Sequence, residues 1–387
     1  MRPERIEAYI NPVMLKWARE SLGLSLEDAA SKLRVNPRKL QQCEKGRARL
    51  TFHQLITASN VYKRPVATFY LAEPPQEFEI PDFRRLPQSQ DSTLSPELRL
   101  AIRRIHYQKQ VAEQLANGGN SHDWGFIGSV KIDDDPENVA QWIREYLKIT
   151  PDLQGKWKDD FQAFNGWRLA IENSDILVFL VPKVSVEEMR GFSIPNPPFP
   201  AIALNRKDSP AARSFSIHHE FCHILLNEPG LCEPLAVMHN GTQEQNVEMF
   251  CNHVAGAVLV PPLELQRNAT VVQHENGLDW KDEEIAQIAR KFRVSKEVAL
   301  RRLATLGLAS SDNYTDLVRL WKTRTLPPPE EQGFAETGSQ KILRLQGKAY
   351  VNLILEAYRE EKITERDISD YLNMKLKYLD SLQATLT

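Results

Sequence analysis

Apolar residues recur at helical spacing through residues 10–72. Leu15, Ala18 and Leu22 share one face of a helix over 14–22, and Gly23 follows it. Ser25 caps a second helix, with Asp28 as an acidic capping-box partner and Leu26, Ala29, Ala30 and Leu33 as the apolar stripe. After the short break Arg34-Val35-Asn36, Asn36 caps a third helix with Pro37 at its first position, and Leu40 and Cys43 point inward. Residues 50–61 and 65–71 predict two more helices. Residues 76–98, rich in Pro, Gln, Ser and Asp, read as a connector. Helical spacing returns over 96–116, breaks at Asn117-Gly118-Gly119-Asn120, and resumes over 135–146 and 158–165. Strand character then marks 167–172, 176–181, 192–194 and 201–205, predicting a small sheet. Two largely apolar helices follow, around residues 215–226 and 246–260, the second stopped by Pro261-Pro262. Residues 282–306 form a helix pair, 324–333 a Pro-rich linker, and 339–387 further helices whose Tyr371, Leu372, Leu376, Tyr378, Leu379 and Leu382 need a surface to dock on.

The chemistry concentrates in the first apolar helix, at His219-Glu220-x-x-His223. Residues four apart on a helix lie on one face, so both imidazoles can hold one ion while Glu220 stands beside it as a proton acceptor. Buried among Phe215, Ile217, Phe221, Ile224 and Leu225, such residues cost several kcal/mol without partners, and a metal supplies one. The second helix offers an early carboxylate, Glu248, as a third ligand that leaves one coordination position open. Zinc is favoured by two nitrogens and one carboxylate, with manganese and iron open. Asn252 shares the face of Glu248 and is expected to position that carboxylate or a water bound beside the ion. Arg213 is expected to anchor the histidine helix. The rival pair His218 and Cys222 would leave Glu220 off the face.

These residues resemble the ImmA/IrrE metallopeptidases. Arg213, Phe215, Ser216, His219, Glu220 and His223 match the first part of that family's pattern, and Glu248, Asn252, Ala255, Leu259 and Pro261 match the second. Ser216 replaces Thr, Cys222 Gly, Cys251 Ala and Val254 Phe; none is a ligand or the base. The resemblance implies a zinc endopeptidase with ligands His219, His223 and Glu248 and general base Glu220, acting on a repressor or antitoxin-like protein. The N-terminal helices resemble an XRE-type helix-turn-helix domain, including Glu44-Lys45-Gly46 after the third helix. That resemblance implies operator binding to double-stranded DNA through Arg34, Arg38, Lys39, Gln41, Gln42 and Lys45. Glu27 departs from the Gln common at that position. The helix pair at 282–306 imitates a second helix-turn-helix, but relatives carry such a pair beside the peptidase site.

The whole-chain figures narrow the choice. With 387 residues, two or three domains are expected. A net charge of −2 means that any nucleic-acid site is local. No apolar run approaches membrane-spanning length, there is no secretory h-region, and the four cysteines form no disulfide or zinc-finger framework, so a reduced, cytoplasmic protein is expected. The expected fold is α+β: an all-α helix-turn-helix bundle (1–75), a zincin-like peptidase domain with a small sheet and the HExxH helix (76–315), and a linker with a C-terminal helical segment (316–387). The expected function is a DNA-binding regulator with a zinc-dependent endopeptidase domain. The alternative is a non-catalytic regulator or antitoxin that binds DNA and a toxin partner around a structural metal. Homodimerisation is left open.

Overall fold

The structure, a computed structural model, describes residues 6–75, 94–116, 124–228, 231–232, 243–324 and 337–386. Contacts divide the chain once, into Met1–His106 and Tyr107–Thr387. The expected boundary after residue 75 adjoins residues outside the described set, and the one after 315 falls within a helix. The proposed breaks at 117–120 and 325–333 also lie outside the described residues.

The first unit holds α1 (Pro12–Glu20), α2 (Leu26–Leu33), α3 (Pro37–Glu44), α4 (Phe52–Tyr62), a 3-10 turn (Val66–Tyr70) and the start of α5 (Pro96–Ala116). The caps read from the sequence are present: the Asp28 amide donates to Ser25 Oγ at 3.0 Å and the Arg38 amide to Asn36 Oδ1 at 2.9 Å. Leu15, Ala18, Leu22, Ala29, Ala30, Leu33, Leu40 and Cys43 share one core with Leu50, Leu55, Ala58, Tyr62 and Phe69. A bidentate pair locks α3 to α1, with Arg19 Nε 2.7 Å from Glu44 Oε1 and Nη2 3.0 Å from Oε2. This gives Glu44 a structural role.

The second unit continues with α6 (Pro136–Tyr146), α7 (Pro151–Gly155), α8 (Asp160–Glu172), β1 (Leu177–Val181), β2 (Gly191–Ile194), β3 (Ala201–Asn205), α9 (Pro210–Leu226), β4 (Leu231–Cys232) and α10 (Gln243–Leu259). Then come α11 (Pro262–Gln266), α12 (Ala269–Val272), α13 (Asp282–Phe292), α14 (Lys296–Thr305), α15 (Ser311–Arg324), α16 (Gly338–Gln346), α17 (Lys348–Arg359), α18 (Glu365–Tyr371) and α19 (Leu379–Leu386). The sheet runs β1-β3-β2-β4, with β1 parallel to β3 and the other pairs antiparallel. An α+β architecture results.

One expected strand is a helix. Residues 167–172 belong to α8, because Asp159 caps its start (Gln162 amide to Oδ1, 2.7 Å) and Phe164, Trp167, Arg168 and Ile171 repeat on its buried face at helical spacing. A six-residue window hid that period. The other three expected strands form, and β1, β2 and β3 are buried along their length, which accounts for their continuous apolar runs.

The C-terminal helices dock on the sheet side of this unit. Arg168 donates to the Arg344 carbonyl at 2.7 Å, the Lys348 amide donates to Glu172 at 3.2 Å, and Tyr350 meets Phe179 edge-on at 5.4 Å. Gly347 (φ +81°) is required there, since a Cβ would run into Glu172 and the Val178 carbonyl.

A half-buried ion pair ties α6 to α14. Arg302 Nη1 and Nη2 lie 2.5 and 2.6 Å from the Glu137 oxygens, and His253 of α10 lies 2.8 Å from Glu137 Oε1. Burial opposes ionisation of Glu137, but His253 and Arg302 outweigh it and hold its carboxyl down at about 2. A depressed carboxyl stabilises the fold above its ordinary value, and that contribution fades as pH falls toward about 2. Glu137→Ala leaves the buried Arg302 without its carboxylate and should cost about 1.5–3 kcal/mol at neutral pH, measured by denaturant unfolding.

Candidate metal centre and DNA-binding face

The centre is built by α9 and α10. Ser209 caps α9 (Ala212 amide to Oγ, 3.2 Å), and Pro210 opens it. Every residue from Arg213 to Leu225 is buried, as expected of a helix enclosed on all sides. Phe221, Ile224 and Leu225 share a core with Phe250, Val254 and Val258 of α10. That packing fixes the helix pair and aims three side chains at one point.

His219 Nε2 and His223 Nε2 lie 3.1 Å apart. Glu248 places Oε2 at 3.2 Å from the first and Oε1 at 3.2 Å from the second. The ligand atoms of the three residues all lie within 4.8 Å of one another, and no other such group occurs among the described residues. The histidine side chains are buried, while that of Glu248 is 27 % exposed, so the centre opens past the carboxylate. Asn252 reaches across to a ligand on α9. Its Oδ1 lies 3.1 Å from His219 Nδ1. An amide oxygen only accepts, so Nδ1 carries a proton and Nε2 is the nitrogen left to bind an ion once it loses its own.

This donor set fits a divalent ion. Burial disfavours charge on His219, but the Glu248 carboxylate overrides it and pushes the imidazole up to about 9. The Glu248 carboxyl, despite burial, is held far below its usual range by His219 and His223. The pocket therefore favours a positive charge between its donors.

Glu220 is fully buried beside the ligands, with neither carboxylate oxygen hydrogen-bonded. Burial raises its pKa, and His219 and His223 oppose the rise. Arg213 packs its guanidinium over the Phe164 ring at 4.9 Å, anchoring α9 to α8. His218 points the other way, edge-on to Trp167 at 4.4 Å, and burial followed by Arg144 pushes it down to about 3. Cys222 turns to Cys251 on α10, where burial and the neighbouring thiol raise the Cys251 pKa. His218 and Cys222 thus do not converge as a second ligand pair.

In the first unit, α3 buries Leu40 and Cys43 and leaves Arg38, Gln41 and Gln42 exposed, with Lys45 exposed at its end. Arg34 is exposed at the left-handed end of α2 (φ +55°). Lys39 is half-buried, its Nζ 3.4 Å from Gln54 Oε1 on α4, and is the least available of the six.

Residues 172–304 match the IrrE N-terminal-like domain, a peptidase family, and residues 13–69 match a helix-turn-helix domain. The chain thus carries a helix-turn-helix segment followed by a peptidase-like segment. No curated protein matches it. The peptidase-like domain begins at the end of α8 and closes at the end of α14, so it contains the sheet, the three ligand candidates and Glu220. The helix-turn-helix domain contains all six basic and amide residues singled out for DNA. Among the described residues no helix is long and apolar enough to cross a membrane.

Sequence reasoning missed the strand that faces Glu220. Gly191 of β2 lies against its carboxylate. Nothing local to Gly191 signals this, since the contact spans about thirty residues of chain through a sheet pairing.

Removing ligands should remove the ion. His219→Ala, His223→Ala and Glu248→Ala should each lower occupancy from about one divalent ion per chain, read by metal analysis after dialysis. With His219 at about 9, the metal-free protein carries a proton there at neutral pH. Metal binding at pH 7 should therefore release about one proton, and affinity should rise with pH up to about 9. Calorimetry in buffers of different ionisation enthalpy measures this.

Proposed function

We propose that the chain is a DNA-binding transcriptional regulator whose second unit is a zinc-dependent endopeptidase, cleaving a repressor or antitoxin-like protein. The observation that carries the catalytic half is Glu220: a fully buried carboxylate with both oxygens unbonded, beside a convergent His-His-Glu set. A purely structural ion needs no such group, and leaving it there costs several kcal/mol. A zinc ion held by His219, His223 and Glu248 would polarise a scissile carbonyl and make water acidic enough to attack near neutral pH.

The chain's own residues then have distinct tasks. Glu220 takes the proton of the attacking water and delivers it to the leaving amine. Its burial raises proton affinity, which suits a group that must hold a proton between those two events. Asn252 keeps His219 in the tautomer that offers Nε2.

The DNA-binding half rests on the outward face of α3. Arg38 and Gln41 suit base edges in the major groove, and Lys45 suits a phosphate. The non-catalytic alternative, a regulator or antitoxin with a structural metal and a toxin partner, shares this half and differs only in Glu220.

Two experiments test the reading. Glu220→Gln should keep its metal and lose cleavage of the true substrate by about a hundredfold or more. The assay uses purified full-length chain with the product of a neighbouring gene, followed by mass spectrometry. Wild-type rates in that variant would overturn Glu220 as the proton carrier, and a wild-type chain that keeps its metal without cleaving would leave the regulator reading alone. In footprinting of the protein's own upstream region, Gln41→Ala should relax sequence preference, and Lys45→Ala should weaken binding to all sequences and flatten the salt dependence.

A further inference from the structure

Strand β2 passes directly in front of Glu220. Gly191 and Ser193 are two apart, so they present the same face of the strand. At Gly191 a Cβ would stand 3.0 Å from Glu220 Oε1, 3.2 Å from its Cγ and 3.2 Å from Leu204 Cδ2. Those approaches are tighter than van der Waals contact, so any side chain there displaces the carboxylate by a few tenths of an ångström. No positive φ demands glycine at 191, which leaves the close approach as the reason for it.

Two positions on, Ser193 is fully buried in an otherwise apolar strand segment. Its hydroxyl lacks a hydrogen-bond partner, as do both Glu220 oxygens, and it stands on the strand face that Gly191 turns to Glu220. A buried hydroxyl left unpaired costs about 1–3 kcal/mol. An apolar residue would serve the core better unless the hydroxyl has a task beside Glu220.

We propose that Gly191 and Ser193 are positioning residues for Glu220, the first leaving the space its carboxylate occupies and the second steering its orientation through the hydroxyl. The proposal rests on the peptidase reading and extends it from the two motif helices to the sheet. It explains why a strand far from the motif carries its smallest and its only polar side chain on the face toward the base.

The test needs no natural substrate. The full-length chain is loaded with cobalt(II), and acetohydroxamic acid is titrated while the visible cobalt spectrum is followed. The hydroxamate binds the ion and offers its own donors to Glu220, so Glu220→Ala should weaken it. Gly191→Ala and Ser193→Ala should each weaken the hydroxamate by about three- to tenfold, the worth of one hydrogen bond. In the Glu220→Ala background the same substitutions should change binding by less than about twofold, because residues acting through one group are not additive. Equal losses in both backgrounds, or none in the wild-type background, would overturn the positioning role and leave the peptidase reading standing. Loss of the cobalt spectrum in either single variant would also overturn it, since the two residues would then serve the metal or the fold. If Glu220→Ala binds the hydroxamate as the wild type does, the peptidase reading itself falls.

Discussion

The candidate centre depends on the burial of α9 against α10. His219 and His223 come with their spacing on a single helix, but Glu248 arrives only because Phe221, Ile224 and Leu225 pack into a common core with Phe250, Val254 and Val258. Each such side chain contributes about 1.5–3 kcal/mol on burial. Two or three of them offset the several kcal/mol that an unpartnered carboxylate such as Glu220 costs in the same helix. The core can therefore hold a polar cluster in a conformation that the cluster alone would not keep.

The packing also sets electrostatics. In a water-poor pocket, Glu248 shifts His219 toward the charged form while burial shifts His218, its chain neighbour, the other way. Two adjacent histidines thus shift in opposite directions, because one faces a carboxylate and the other faces Trp167 with Arg144 nearby. The face a side chain occupies on α9 decides its chemistry more than its residue type does. The helix-turn-helix unit shows a plainer form of the same rule. The Arg19–Glu44 pair holds α3 from its inner side, which leaves its outer side to exposed amide and basic groups.

Much was legible locally. Helix starts were readable because the capping side chain and its amide partner lie within three residues, as at Ser25 and Asn36. The HExxH residues were readable because four-residue spacing on a helix is itself a geometry. The strand expected at 167–172 shows the limit of such windows: its periodicity appears only once Asp159 and Phe164 are included. The role expected for Asn252 shows another, since a shared face identified its neighbours along α10 but not across to His219.

The sequence by itself determined most element types, the caps, the two histidines with Glu220 between them, and the apolar stripes that demanded burial. Each is set within about one or two helical turns. Only the tertiary structure decided that Asn252 holds His219, that Cys222 meets Cys251, that Glu137 joins Arg302 and His253, and that Gly191 and Ser193 face Glu220. Those contacts join residues up to 165 positions apart. Their partners are chosen by how apolar faces pack, which depends on the whole core at once and on no local stretch of chain.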